Sequence, residues 1–203
     1  STASLCGILW TPEIRSAKNA REWLNRMQTT CFSPMANLNA WSSGKKPWAF
    51  PEVTDDIRAV IELRMRLLPY LYSAFAEYHY KGIPPIRAMI LEDGFDSANK
   101  VVIKGKLDSE TNPYAEGKII EKNDQFMFGP SIMVAPFYSK HATKRSVQLP
   151  AGNWYDFYTG ELVGNNTKIT VTAEGLKNRT PLFVKEGAVV PMFAKAPANS
   201  KAA

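Results

Sequence analysis

The rhythm of apolar and polar positions changes once along this chain, near Pro84-Pro85. Ahead of that point, Ser4–Trp10 is a nearly continuous apolar run closed by Thr11-Pro12, the pattern of a strand buried on both faces. Ala20, Trp23, Leu24, Met27 and Cys31 then recur at three- and four-residue spacing, which predicts a helix capped by Ser16 and stopped by Phe32-Ser33-Pro34. A second short apolar stretch, Met35 to Trp41, leads into a polar loop over Ser42–Pro51. Thr54 followed by Asp55 and Asp56 marks the amino terminus of a long helix, with Ile57, Ile61, Leu68, Leu71, Tyr72 and Phe75 as its apolar stripe. Pro69 falls inside that helix, at a cost of ~3 kcal/mol unless the helix kinks or packing compensates. Gly82 and the two prolines end it. Two strand-helix units in succession have the rhythm of an α/β barrel or a doubly wound sheet, and two units cannot close a barrel of eight.

After Pro85 the pattern becomes short β-rich runs at Ile86–Leu91, Phe126–Phe128, Ile132–Phe137, Ser146–Leu149, Trp154–Tyr158, Lys168–Thr172 and Pro181–Val184. Turn residues punctuate them at Gly129-Pro130, Pro150-Ala151-Gly152, Thr159-Gly160 and Gly187, which predicts an antiparallel β-sandwich. A polar stretch at residues 97–125, with Asn112-Pro113-Tyr114, reads as an insertion with little core. Residues 194–203 lack apolar periodicity and are expected to be disordered. The expected fold is therefore α/β followed by all-β, divided into residues 1–84, a sandwich over 85–193, and the tail.

Composition adds mainly exclusions. The 203 residues are 45% hydrophobic and 22% charged, enough to bury a core. The net charge of +6 is spread along the chain, with ten Lys/Arg against seven Asp/Glu in residues 1–84 and no run of five basic residues. A solvated surface is expected, not a nucleic-acid partner. Cys6 and Cys31 fit neither a disulfide framework nor a zinc ligand set, and only His79 and His141 could join them, so no metal and no cofactor are expected. No stretch approaches the ~20 apolar residues of a membrane span. Ser1–Trp10 lacks the charged start and the length of a signal peptide. For a fragment that says nothing of the parent's destination, and a secreted, periplasmic or cytoplasmic parent all stay open.

Four stretches resemble known family motifs. Leu67-Leu68-Pro69-Tyr70-Leu71-Tyr72 with the later Pro84-Pro85-Ile86-Arg87-Ala88 resembles the last barrel helix and following strand of glycoside hydrolase family 31. Gln125–Pro136 is similar to that family's entry into the sandwich beside the barrel, and Leu149–Gly160 and Pro181–Pro191 to two further hallmarks of the sandwich. The resemblance implies that residues 1–84 are the last two β/α units, with strands seven and eight, of an incomplete (β/α)8 barrel. It also implies a retaining α-glycosidase acting on a terminal α-linked sugar of an oligosaccharide or glycoside. Such enzymes use two carboxylic acids ~5–5.5 Å apart. In the family both are aspartates on the fourth and sixth barrel strands, so none is expected in this chain, which needs the remainder of the polypeptide as its partner and is expected to be inactive alone. An α-transglycosylase and a non-catalytic carbohydrate-binding or scaffold module remain alternatives.

Barrel sites form at the carboxyl ends of strands. Trp10, Glu13 and Arg15 occupy the first such position, and Glu13 stands where the resemblance implies an aspartate near the sugar. It either accepts from a sugar hydroxyl or sits near a helix start, favoured by the macrodipole. After Phe32-Ser33-Pro34, Asn37 and Asn39 stand where the family has Arg and His, so Asn39 is a ligand contact or a loop cap. Trp41 and Trp48 are either stacking platforms for pyranose rings or plugs between barrel and sandwich. Trp154, Tyr155 and Phe157 alternate as a strand and are assigned to the core. The adjacent pairs Asp55-Asp56 and Glu92-Asp93 diverge and are assigned capping or surface roles. The sequons at Asn165 and Asn178 matter only in a secretory setting.

Overall fold

The computed structural model describes residues 13–41, 44–92, 103–104, 118–119, 124–137, 141–199 and 201. The strand expected at Ser4–Trp10, Cys6 with it, lies outside them. The first element is α1 (Ala20–Cys31). Asn19 caps it in place of Ser16: the Asn19 side chain accepts from the Glu22 backbone N–H at 2.9 Å, while a Glu22 carboxylate oxygen accepts from the Lys18 N–H at 2.8 Å. This reciprocal pair satisfies donors that a helix start leaves open.

The expected long helix is two. A 3-10 turn (Pro51–Val53) leads into α2 (Thr54–Arg66), and α3 (Leu68–Lys81) follows after Leu67. Pro69 therefore sits in the first turn of α3, where its missing N–H has no partner to lose. Thr54 begins α2, and its hydroxyl donates to the Phe50 carbonyl at 3.1 Å instead of capping. The break also resets the helical phase: Tyr70 turns inward, while Tyr72, expected on the apolar stripe, is 80% exposed. Gly82, at φ 72°, closes α3 in the left-handed conformation.

Six strands form one antiparallel sheet, in the order β1 (Ile86–Ala88), β4 (Phe126–Phe128), β5 (Ile132–Val134), β10 (Leu182–Lys185), β7 (Asn153–Asp156) and β8 (Leu162–Asn165). A separate antiparallel ladder joins β6 (Lys144–Gln148) to β9 (Lys168–Thr172), and a two-residue pair joins β2 (Ile103–Lys104) to β3 (Lys118–Ile119) within the stretch expected to be an insertion. β8 was not expected; its exposed Leu162 and internal Gly164 hide the usual alternation. β1 is shorter than expected and gives way to a 3-10 turn at Met89–Leu91. There the Arg87 guanidinium pairs with Glu92 at 2.5 Å with both side chains largely buried, so Glu92 is not the surface residue it was expected to be. Asp55 does keep a surface role, pairing with Arg58 at 2.6 Å.

The six-stranded sheet is covered on both faces, which explains why β4 and β5 read as continuous apolar runs although their pairing is antiparallel. Ile86, Phe126, Phe128, Ile132, Val134 and Leu182 face the helices and pack with Cys31, Phe32, Val60, Leu67, Tyr70 and Leu71. Met127, Met133, Trp154 and Phe183 point the other way, onto Val147, Leu149, Ile169 and Val171 of the β6–β9 side. That second contact is the sandwich. Tyr155 and Phe157, assigned to the core with Trp154, are only partly buried.

The helical layer is joined to the sheet by polar bonds as well. The Tyr70 hydroxyl donates to the Phe128 carbonyl at 2.9 Å and accepts from the Ser131 and Ile132 N–H groups at 2.8 and 3.2 Å. Gly129, at φ 65°, leaves room for the ring: a Cβ there would lie 2.6 Å from it. Asn178, in the loop before β10, donates to Asp56 at 3.1 Å and accepts from Arg21 at 2.9 Å, while its carbonyl accepts from Gln28. One residue thereby holds α1 and α2 together. Residues 194–199 form bends without helix or strand, and Phe193 exchanges backbone and side-chain bonds with Arg66 at 2.9 and 3.0 Å.

Burial raises the Tyr70 hydroxyl from 10.0 to about 12 and outweighs the lowering by the Ser131 and Ile132 N–H groups; burial also raises Tyr158. The contribution of Tyr70 to stability is therefore complete below pH 10 and lost as pH climbs towards 12, and Tyr158 shifts in the same direction. Tyr70→Phe removes the three bonds of the hydroxyl, to the Phe128 carbonyl and the Ser131 and Ile132 N–H groups, and should cost about 1–3 kcal/mol in urea unfolding. The same variant should flatten the alkaline limb of a stability-against-pH curve.

Candidate functional site

Met35 to Trp41, the second expected strand, makes one isolated parallel bridge among the described residues. Ile14 bridges Leu38; the Ile14 N–H donates to the Asn37 carbonyl at 3.2 Å and the Asn39 N–H to the Ile14 carbonyl at 2.9 Å. Ile14 and Leu38 pack beneath α1 and α2 onto the cluster of Trp23, Leu24, Met27, Val53 and Ile57. Alternation along extended chain then sets Glu13, Arg15, Asn37 and Asn39 on the opposite face. Four of the seven candidates share that face.

Glu13 and Asn39 touch: the Asn39 side-chain amide donates to a Glu13 carboxylate oxygen at 2.5 Å. The amide oxygen of Asn39 accepts from the Trp41 N–H at 3.3 Å, so it also caps the loop that follows. Arg15 holds the return of that loop, its carbonyl accepting from the Lys45 N–H at 2.8 Å. Asn37 is exposed and contributes its carbonyl to the parallel contact. Trp10 lies outside the described residues.

Trp41 and Trp48 are 82% and 65% exposed, so neither plugs the interface with the sandwich among the described residues. The loop holds them outward by anchoring around them. The Trp23 indole N–H donates to the Pro47 carbonyl at 3.2 Å, and the Lys45 ammonium lies 4.9 Å above the Phe50 ring. Gly44 passes so close to Asn39 that a Cβ would lie 2.1 Å from the Asn39 carbonyl oxygen.

Two contributors to this geometry gave little sequence signal. Arg64 of α2 reaches across to the turn before Met35 and donates to the carbonyls of Cys31, Ser33 and Pro34 at 2.6, 2.7 and 3.1 Å. Read along the helix it is one more polar-face residue beside Leu67-Leu68-Pro69-Tyr70. Gly44 could be read only as a loop glycine. Cys31, next to Arg64, is a buried free thiol whose pKa burial raises from 9.0 to about 12 despite the nearby guanidinium.

A concavity of about 710 Å³ lies elsewhere, bounded by Asp56, Arg66, Tyr155, Tyr158, Arg179 and Met192 among others, and none of the seven candidates lines it. Its polar groups are largely engaged within the fold. Asp156 accepts from the Tyr158 and Thr159 N–H groups, the Tyr158 hydroxyl donates to Thr180, and Asp56 is held by Asn178.

Residues 1–74 match the glycosyl hydrolase family 31 TIM-barrel domain, and residues 82–190 match the family 31 C-terminal domain. The chain belongs to glycoside hydrolase family 31 and consists of part of a TIM-barrel domain followed by the C-terminal domain. It is 31% identical over 172 residues to an α-xylosidase of Saccharolobus solfataricus, covering 83% of this chain and 20% of the relative. It is 28% identical over 209 residues to an isomaltosyltransferase of Sporosarcina globispora, covering 94% of this chain and 17% of that protein. Among solved structures, a family 31 dextranase of Flavobacterium johnsoniae complexed with isomaltotriose superposes with a TM-score of 0.63 at 28% identity, covering 86% of this chain and 20% of the dextranase. The chain thus spans about one fifth of the length of these relatives.

Gly44→Ala should push the loop off Asn39. We expect a changed emission from Trp41 and Trp48 and weaker protection of the Asn39 amide in hydrogen exchange, while the Tyr70 contacts stay intact.

Proposed function

We propose that this chain is the carboxy-terminal part of a retaining α-glycosidase, and that Glu13 and Asn39 bind hydroxyls of a terminal α-linked sugar. The observation that carries this is their bond across two parallel segments, on the face turned away from the helices. In a (β/α)8 barrel that face is the interior, and substrates bind at the carboxyl ends of the strands. The two segments are then the ends of strands seven and eight, with the barrel portion at residues 1–84 and the sandwich at 85–193. The nucleophile and the acid/base, two carboxylic acids ~5–5.5 Å apart for retention, belong to the remainder of the polypeptide.

Glu13 and Asn39 stand where the family resemblance implies Asp and His. The carboxylate side chain is one methylene longer and its partner is shorter than those residues, and the two still meet through the Asn39 amide. This supports a recognition of hydroxyls by a neutral amide donor and a carboxylate acceptor. Trp41, Trp48 and Trp10 supply apolar faces for pyranose rings, and Arg15 and Asn37 supply further donors at the rim. Transfer to a second sugar is a specific alternative to hydrolysis, favoured by the likeness to an isomaltosyltransferase.

A panel of aryl α-glycosides assayed on the longer polypeptide would identify the sugar, and product analysis with added acceptor sugars separates transfer from hydrolysis. There Glu13→Gln should lower kcat/KM by at least about tenfold, ~1.4 kcal/mol. Unchanged kinetics would remove Glu13 from the subsite. A full-length protein without the two carboxylic acids, which still binds saccharide, would instead be a carbohydrate-binding module.

A further inference from the structure

The guanidinium of Arg64 makes three bonds, to the carbonyls of Cys31, Ser33 and Pro34. The first is an open carbonyl at the end of α1, where a cation is favoured. The other two are not helical. They belong to the turn that carries the chain from α1 into Asn37–Asn39, and Pro34 lies only three residues before Asn37. Ser33 tightens the same turn, the one proton of its hydroxyl lying within reach of the carbonyls of Thr30 and Met35, at 2.6 and 2.9 Å from the oxygen. Phe32, inside the turn, packs edge-on against Phe128 at 5.6 Å.

We propose that Arg64 is a positioning residue for the sugar subsite: it fixes the start of the Asn37–Asn39 segment and so sets where Asn39 meets Glu13. The inference rests on the sugar-binding reading for its consequence, though not for its geometry. A planar fork spanning three carbonyls suits the task, whereas a lysine ammonium is a compact point charge on a flexible stem. Arg64 touches neither Glu13 nor Asn39 and acts only through the backbone between them. Its effect should be confined to the segment it anchors.

The test is Arg64→Lys in the present chain, which keeps the charge at the end of α1 and removes the fork. Hydrogen exchange should quicken at least tenfold at the Ile14 and Asn39 amides, the two donors of the parallel contact, and stay unchanged at Ser131 and Ile132. Equal acceleration at all four amides, or none at Ile14 and Asn39, would overturn the proposal. If the lysine variant does not fold, the native chain is followed in rising urea. The Ile14 and Asn39 amides should then open together with those of Phe32 and Ser33, and earlier opening of the first pair would count against Arg64. Tryptophan emission of the longer polypeptide during titration with isomaltotriose provides a separate arm. Arg64→Lys should weaken binding as Asn39→Ala does, and the double variant should bind no more weakly than Asn39→Ala alone; additive losses would overturn the coupling. Absence of saccharide binding by the longer polypeptide would count against the subsite reading, while the exchange result still decides the role of Arg64.

Discussion

The joint between helices and sheet turns on one phenol oxygen. Tyr70 reaches the β4–β5 hairpin at the point where its backbone turns over, taking two N–H groups and giving its proton to a carbonyl. Those groups sit at the edge of the core shared by Phe128, Ile132 and Leu67, where water cannot easily replace a partner. The hairpin in turn places β4 and β5 at the centre of the sheet, between β1 and β10. Helix, turn and sheet are consistent with one another only if Gly129 leaves the space that the ring fills.

Arg64 extends the same logic toward the site. Tyr70 holds the helical layer against the sheet, and Arg64, one turn before the break at Leu67, holds the end of α1 and the turn that leaves it. Asn178 closes a third side by tying α1 and α2 through Arg21, Gln28 and Asp56. Among the described residues, the short parallel contact that brings Glu13 to Asn39 has two backbone bonds of its own. These neighbours surround it, and a site on rigid supports can be specific with few direct contacts.

The apolar stripes of the helices and the strand runs after Pro85 could be read from residue pattern, because each reports local burial. Three errors arose where a nonlocal or competing contact decides. Continuous helical counting put Tyr72 on the apolar stripe, because Pro69 signals a possible kink while the apolar spacing alone does not locate the break at Leu67. Asn19 with Glu22 outcompeted Ser16, a contest between two good caps that position alone does not settle. Glu92 looked like a surface acid because its partner Arg87 becomes a neighbour only after the chain leaves β1 through a 3-10 turn. For the site, residue type suggested Glu13 and Asn39 as separate candidates, and only the pairing of Ile14 with Leu38 joins them. Arg64 had no legible role, since its partners are carbonyls, which every residue carries.

The six-stranded sheet has no solvent-facing side in its central strands, and this changes what the Pro84-Pro85 junction means. In sequence it separates two domain types, but in space the residues on either side fill one core, with Phe32 and Tyr70 against Phe128. A cut there would leave the β4, β5 and β10 faces bare, so the junction is neither a hinge nor an exchangeable seam. The two parts are expected to unfold as a single cooperative unit, and a change of sandwich partner would have to preserve the helical face as strictly as the sheet's own interior.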